Sequence, residues 1–314
     1  MKIVITDAST VTGGDLSFDI FRQFGEVEIY DLTSAEELPA RIKDADIVLC
    51  NKTLMTSEAM KNADNLKYIG IFATGFNNID LDYTHSHGIT VCNVPGYSTE
   101  AVAQHTFAFI LELLCRVSDY NKTVKQGDWV KSRTFSYFPI PLYELSGKTL
   151  GIVGMGSIGS RVVDIAKAFG MNVLVYKRSK TEDNRVTQVG LDELLKNSDI
   201  VSLHCPLNKD SENMMNKEAF DKMKDGAVFI NTARGGLVDE YALRDALVSK
   251  KLLGAGLDVL RQEPMNKDCP LLGVENCIIT PHIAWAGLET RKRLMGIVAS
   301  NIASFISGKP VNTV

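Results

Sequence analysis

Short runs of apolar and β-branched residues recur along the chain, each followed by a stretch whose apolar residues fall at helical spacing. In the first third these runs are KIVIT, VEIY, DIVLC, LKYIGI and GITVC. They are nearly continuously apolar rather than alternating, as strands are when a parallel sheet is covered on both faces. Helical segments are predicted between them, including residues 16–24 and 35–43. Val94-Pro95-Gly96 punctuates the end of this series. A long helix is predicted over 98–120, where Ser98 or Thr99 can cap it and Glu100 suits the positive end of its dipole. Residues 121–147 are less regular, with Trp129 and other aromatics among prolines. A second series comes next: KTLGIVG, NVLVY, DIVSLH, GAVFIN and LGAGLDV, then CIIT as one more strand. A helix over 288–307 precedes Gly308 and Pro310. Two successive series predict two doubly wound α/β units.

Composition changes this picture little. The 314 residues suit two domains at about 150 residues each. With 45% hydrophobic and 23% charged residues the chain can bury a core, which excludes a disordered protein. A net charge of -4 leaves no electrostatic footprint for nucleic acid or an anionic membrane. No apolar run approaches the roughly 20 residues of a membrane span, and the N-terminus reads as a strand rather than a secretory leader. The cysteines at 50, 92, 115, 205, 269 and 277 form no C-x-x-C pair. No metal centre or redox dithiol is therefore expected, and a reduced, cytoplasmic setting is.

The chemistry enters at GIVGMGSIG, where Gly154, Gly156 and Gly159 have G-x-G-x-x-G spacing between a strand and a helix. That context points to a dinucleotide. Gly154 suits the tight turn, Gly156 the approach of a pyrophosphate, and Gly159 close helix–strand packing. Met155, Ser157 and Ile158 complete the loop. About 20 residues on, where an NAD enzyme places a carboxylate on the ribose 2′-hydroxyl, this chain has Lys177, Arg178 and Ser179. A basic pair beside a hydroxyl suits a 2′-phosphate, so NADP(H) is favoured over NAD(H). Polar groups then gather at later strand ends: Arg234 in FINTARGG, Asp258 and Glu263 in GLDVLRQEP, and His282 in IITPHIAW. Arg234, Glu263 and His282 together supply an anion clamp, an orienting carboxylate and a proton carrier.

ATGFNNID, VPGYSTEAVAQHT, GKTLGIVGMGSIG, NTARGGLVDE, LDVLRQEP and TPHIAW, in this order, resemble the D-2-hydroxyacid dehydrogenase family over essentially the whole chain. ATGFNNID, the PGYSTEAVAQHT helix start and HIAWAG resemble its glycerate dehydrogenase (hydroxypyruvate reductase) branch. The resemblance implies a Rossmann nucleotide-binding domain, 98–283, inserted into a flavodoxin-like substrate domain, 1–97 plus 284–314, with a cleft between them. It implies that Arg234 holds the substrate carboxylate and that His282 is the general acid in reduction. Glu263 would orient His282 and favour its imidazolium. Thr74, Gly75 and Phe76 would offer main-chain N–H groups to the carboxylate, and Trp285 would wall the pocket. Asp258 would meet the nicotinamide carboxamide, with His204, Cys205, Pro206, Thr232 and Ala233 lining the nicotinamide side. His85, His87 and His105 are read as structural. The long helix and the arm after it would form a homodimer contact. The activity so implied is NAD(P)H-dependent reduction of hydroxypyruvate, with glyoxylate a further substrate, to the D-2-hydroxy acid. A broad-specificity 2-keto acid reductase and a dinucleotide-sensing, corepressor-like binding protein are the alternatives.

Overall fold

The computed structural model describes residues 1–314 and divides into two compact units. Unit 1 comprises Met1–Ser98 and Ala286–Val314, and unit 2 comprises Thr99–Trp285. The expected 283/284 boundary thus moves by two residues. Local bonding explains the shift: the Trp285 indole donates to the His282 carbonyl, and the Ala284 amide to Asp258.

Unit 1 contains the strands β1 (Lys2–Ile5), β2 (Glu26–Ile29), β3 (Ile47–Cys50), β4 (Tyr68–Ile71) and β5 (Thr90–Cys92). All pairs are parallel, in the order β2-β1-β3-β4-β5. This is a flavodoxin-like order, reversing between β1 and β3. The segment expected as a helix over 16–24 is a 3-10 turn at Asp19–Phe24. The closing helix, Leu288–Ile306, packs Phe305 against Tyr68 with ring centroids 4.8 Å apart. Its Asn301 donates to the Asn93 carbonyl at 2.9 Å, and Arg291 pairs with Asp15 at 2.7 Å. These bonds bind the C-terminal segment to the N-terminal sheet. At the carboxyl ends of β1 and β3, the buried Asp7 carboxylate accepts from the Asn51, Lys52 and Thr53 amides.

Unit 2 continues with β6 (Thr149–Val153), β7 (Asn172–Tyr176), β8 (Thr187–Gln188), β9 (Ile200–Leu203), β10 (Ala227–Asn231), β11 (Leu252–Leu257) and β12 (Cys277–Ile279). The order is β12-β11-β10-β9-β6-β7-β8, again parallel throughout. The sheet is covered on both faces, as its apolar strands require. Ile152, Val228 and Ile230 join a core with Phe107, Ile110 and Val163 from the helices Thr99–Cys115 and Ser157–Ala168. Val153, Val201 and Phe229 join another with Phe220 and Leu243 from the helices Lys217–Lys222 and Glu240–Val248. The helix expected over 98–120 is two helices, Thr99–Cys115 and Val117–Lys125, bent by 51°. Arg116 makes the break with φ 52°. No single helix is long and apolar enough to cross a membrane.

Candidate active site

β10, β11 and β12 are neighbours in the sheet, so the loops leaving their carboxyl ends lie side by side. Arg234 comes directly after β10, Glu263 after β11, and His282 after β12. In a parallel sheet these ends are where ligands bind.

The firmest contact among them is between His282 and Glu263. Imidazole Nδ1 lies 2.6 Å from Glu263 Oε2. The carboxylate needs a proton there, so Nδ1 is the protonated nitrogen and Nε2 is directed away from Glu263. The second carboxylate oxygen, Oε1, accepts from the Leu260 amide at 2.9 Å and steadies the acid on its own loop. His282 has φ 56°, a left-handed backbone that is uncommon outside glycine. Its amide donates to the Asp258 carbonyl at 2.8 Å, and its carbonyl accepts from Trp285 Nε1 at 2.9 Å. The residue expected to wall the pocket thus secures the histidine's backbone.

Asp258 is almost fully buried. Its Oδ1 accepts from Thr280 Oγ1 at 2.5 Å and the Ile283 amide at 2.8 Å, and its Oδ2 from the Ala284 amide at 2.8 Å. Its visible work is to build the turn carrying His282. His105 bonds to Thr280 Oγ1 at 3.0 Å and stacks edge-on against Phe109, so it braces that same turn. Arg234 is exposed. One guanidinium nitrogen, Nη1, donates to the Ala233 carbonyl at 2.7 Å. Asn231 fixes the loop beneath, donating to the Arg234 carbonyl and accepting from the Ala233 amide. Thr232 bonds to Thr106 at 3.1 Å.

The glycine loop leaves the end of β6. Gly154 has φ +92°, and a Cβ there would meet the Cys205 backbone at 2.7 Å. A Cβ on Gly159 would come within 2.4 Å of the Gly154 carbonyl. A Cβ on Gly156, by contrast, meets nothing within 4 Å. Open space therefore lies before the N-cap of the 12-residue helix Ser157–Ala168, whose cap has no side-chain hydrogen bond. Met155, Ser157 and Ile158 complete this turn, leaving N–H groups at the positive end of a dipole. The cradle fits a pyrophosphate. His204 comes directly after β9, and burial pushes its imidazole down to about 4, so it is neutral near pH 7. Its Nε2 lies 2.9 Å from Ser202 Oγ. Cys205 beside it has a thiol raised by burial.

At the end of β7 the expectation drawn from sequence meets a complication. Arg178 Nη2 donates to Asp210 Oδ2 at 2.9 Å and to Asn208 Oδ1 at 3.2 Å. Hydrogen bonds from Arg185 are the main cause that lowers the Asp183 carboxyl, and the charge of Lys177 adds a smaller effect. The Lys177 and Ser179 carbonyls both accept from Gln188. A carboxylate absent from the local sequence is thus supplied to Arg178 in space. Sequence reasoning missed Asp210, 32 positions from its partner, because no local pattern marks it. Thr74, Gly75 and Phe76 lie after β4 in unit 1, where Thr74 Oγ1 donates to the Val94 carbonyl at 2.7 Å and the Thr74 carbonyl accepts from Asn93.

Residues 107–284 match the family model described as "D-isomer specific 2-hydroxyacid dehydrogenase, NAD binding domain". The chain belongs to this family. It is 45% identical, over 100% of its length and 99% of the relative's, to a hydroxypyruvate reductase of Blautia hydrogenotrophica. It is 37% identical to a glycerate dehydrogenase of Methylorubrum extorquens, over 100% and 98% of the two chains. A D-lactate dehydrogenase of Aquifex aeolicus, solved with NAD and lactic acid, superposes with TM-score 0.84 at 34% identity, covering 98% and 96%. The chain is an oxidoreductase of the D-2-hydroxyacid dehydrogenase family, close to glycerate dehydrogenase, and uses a nicotinamide cofactor.

Proposed function

We propose that the chain reduces hydroxypyruvate, and glyoxylate as a second substrate, to the D-2-hydroxy acid, with NADP(H) favoured over NAD(H). The observation that carries this reading is the 2.6 Å His282–Glu263 pair, set at strand ends beside the exposed Arg234. The identity to the hydroxypyruvate reductase supports this choice of substrate within the class.

The residues divide the work by their chemistry. A bound reduced nicotinamide supplies the hydride. The Arg234 fork, whose Nη1 donates to the Ala233 carbonyl, suits two-point binding of a substrate carboxylate. His282 holds a proton at Nδ1 toward Glu263 and delivers another from Nε2 to the carbonyl oxygen as negative charge develops there. Glu263 is a positioning residue, setting the tautomer and orientation of His282. Gly154–Gly159 and the helix after them would hold the pyrophosphate, and Lys177, Arg178 and Ser179 the adenosine ribose. His204, Cys205, Pro206, Thr232, Ala233 and Asp258 are proposed along the nicotinamide. Thr74, Gly75, Phe76 and Trp285 are proposed toward the substrate on the resemblance alone. The exposed aromatic arm is proposed as a homodimer contact.

Steady-state reduction of hydroxypyruvate, glyoxylate and pyruvate, each with NADPH and with NADH, tests the reading. We expect the highest kcat/KM for hydroxypyruvate with NADPH. Absence of turnover sinks the proposal, a pyruvate optimum replaces it with a broader reductase, and a dominant NADH preference refutes the cofactor choice.

A further inference from the structure

The basic pair after β7 carries an opposing charge. Asp210 is presented to Arg178 by a turn that is itself well bonded. Asn208 Oδ1 accepts from the Asp210 and Ser211 amides at 3.0 and 3.2 Å. Ser211 Oγ donates to the Pro206 carbonyl at 2.8 Å and accepts from the Asn208 amide at 2.8 Å. The Asp210 side chain takes no part in these bonds. The turn thus places a carboxylate 2.9 Å from Arg178 Nη2 without depending on it.

The location is the nucleotide edge of unit 2. Arg178 lies just past β7, which pairs with β6, the strand that leads into the glycine loop. The Pro206–Ser211 turn comes after Cys205, whose backbone lies against Gly154. Any group on the adenosine ribose 2′-position that engages Arg178 must therefore also meet the field of Asp210. A 2′-phosphate carries about two negative charges near neutral pH, and a 2′-hydroxyl carries none.

We propose that Asp210 is a cofactor-discriminating residue, a fixed counter-charge on Arg178 that weakens binding of a 2′-phosphate and leaves a 2′-hydroxyl cofactor unaffected. The inference rests on the proposed nucleotide roles of Gly154–Gly159 and Lys177–Ser179. It limits the selectivity of the basic pair rather than reversing it. Arg178 Nη2 is shared between phosphate and carboxylate, and the two anions repel. Because the pair is solvent-exposed, the effect is modest and sensitive to salt.

Equilibrium titration of the purified chain with NADPH and with NADH, read by nicotinamide fluorescence without substrate, tests this apart from catalysis. Asp210→Asn keeps the turn, and circular dichroism with thermal melting checks that it folds. It should bind NADPH about two- to fivefold more tightly at low salt, with the gain shrinking near 1 M salt. Its affinity for NADH should not change. Asp210→Glu keeps the charge and should stay near wild type. Arg178→Ala should weaken NADPH selectively. If Arg178→Ala does so while Asp210→Asn shifts both cofactors equally or neither, the proposal about Asp210 is overturned and the basic-pair reading stands. If Arg178→Ala leaves the NADPH-to-NADH ratio unchanged, the basic-pair reading falls, and the Asp210 proposal falls with it.

Discussion

At the residue scale, the His282–Glu263 contact makes a quantitative demand. If Glu263 acts only through His282, the two side chains cannot contribute independently. His282→Ala should lower kcat about 10²–10⁴-fold, the usual span for a positioned proton donor. Glu263→Gln should lower kcat by a smaller factor with little change in KM, and should add almost nothing in the His282→Ala background. Additive losses in that double-mutant cycle would mean that Glu263 has a separate role. His204 gives a different prediction. Its imidazole titrates near 4 in the folded chain against an ordinary value of 6.5, so the unfolded chain binds more protons in that window. Stability must then rise with pH from about 4 to 6.5, with full benefit above it, by at most about 1.4 kcal/mol per pH unit. His204→Gln should flatten that rise in pH-dependent denaturant melts relative to wild type; an unchanged slope would refute the neutral, buried imidazole. The placement of Arg234, Glu263 and His282 after neighbouring strands was legible because the apolar runs already mark those strands. Asp210 was not, because its meaning comes from a contact across 32 positions. Nor was the commitment of Asp258 to the His282 turn, since all three donors to its carboxylate lie more than 20 residues away.

At the scale of elements, the loops after β10 and β11 are coupled through a glycine. A Cβ on Gly235, next to Arg234, would fall 1.9 Å from the Leu260 carbonyl carbon and 2.3 Å from the Arg261 nitrogen. These are backbone atoms, so the Leu260–Arg261 segment must move, and Leu260 is the residue whose amide fixes Glu263. Gly235→Ala should cost about 1–3 kcal/mol of stability, as overpacking does. It should also lower kcat tenfold or more by misplacing Glu263, while NADPH binding stays near wild type. Gly236→Ala is the matched control, because its Cβ meets only the far end of the Leu207 side chain at 2.8 Å. Equal losses from both variants would refute the coupling. The strands themselves were largely legible as pattern. Continuous apolar runs marked eleven of the twelve and their parallel pairing, and missed only β8, whose two residues, Thr187 and Gln188, carry no pattern. The break at Arg116 was hidden for another reason. Helical spacing continues through it, and no glycine or proline marks the left-handed residue. The turn is held by Glu112 accepting from the Ser118 amide and by Arg116 pairing with Asp119 at 2.7 Å.

At the scale of the whole molecule, the arm after this break raises the question of what covers it. Its conformation is fixed from within: Tyr120 donates to the Ile140 carbonyl at 2.7 Å, Trp129 Nε1 to the Phe135 carbonyl at 2.8 Å, and Thr123 bonds to Tyr137. Yet Val130, Phe135 and Phe138 are 89%, 91% and 79% exposed. Ordered backbone with large apolar side chains turned outward is the pattern of an association surface rather than of a loose loop. A second copy of the chain is the simplest cover, because a two-fold contact buries the same patch on both partners. Light scattering should therefore give twice the 34.5 kDa chain mass at micromolar concentration. The melting temperature should rise with protein concentration, since association stabilises the folded state by mass action. Replacing Val130 and Phe135 together with glutamate should give a monomer with unchanged circular dichroism and a concentration-independent melt. A wild-type chain that is monomeric, or a double variant that still dimerises, would show that the arm serves some other contact.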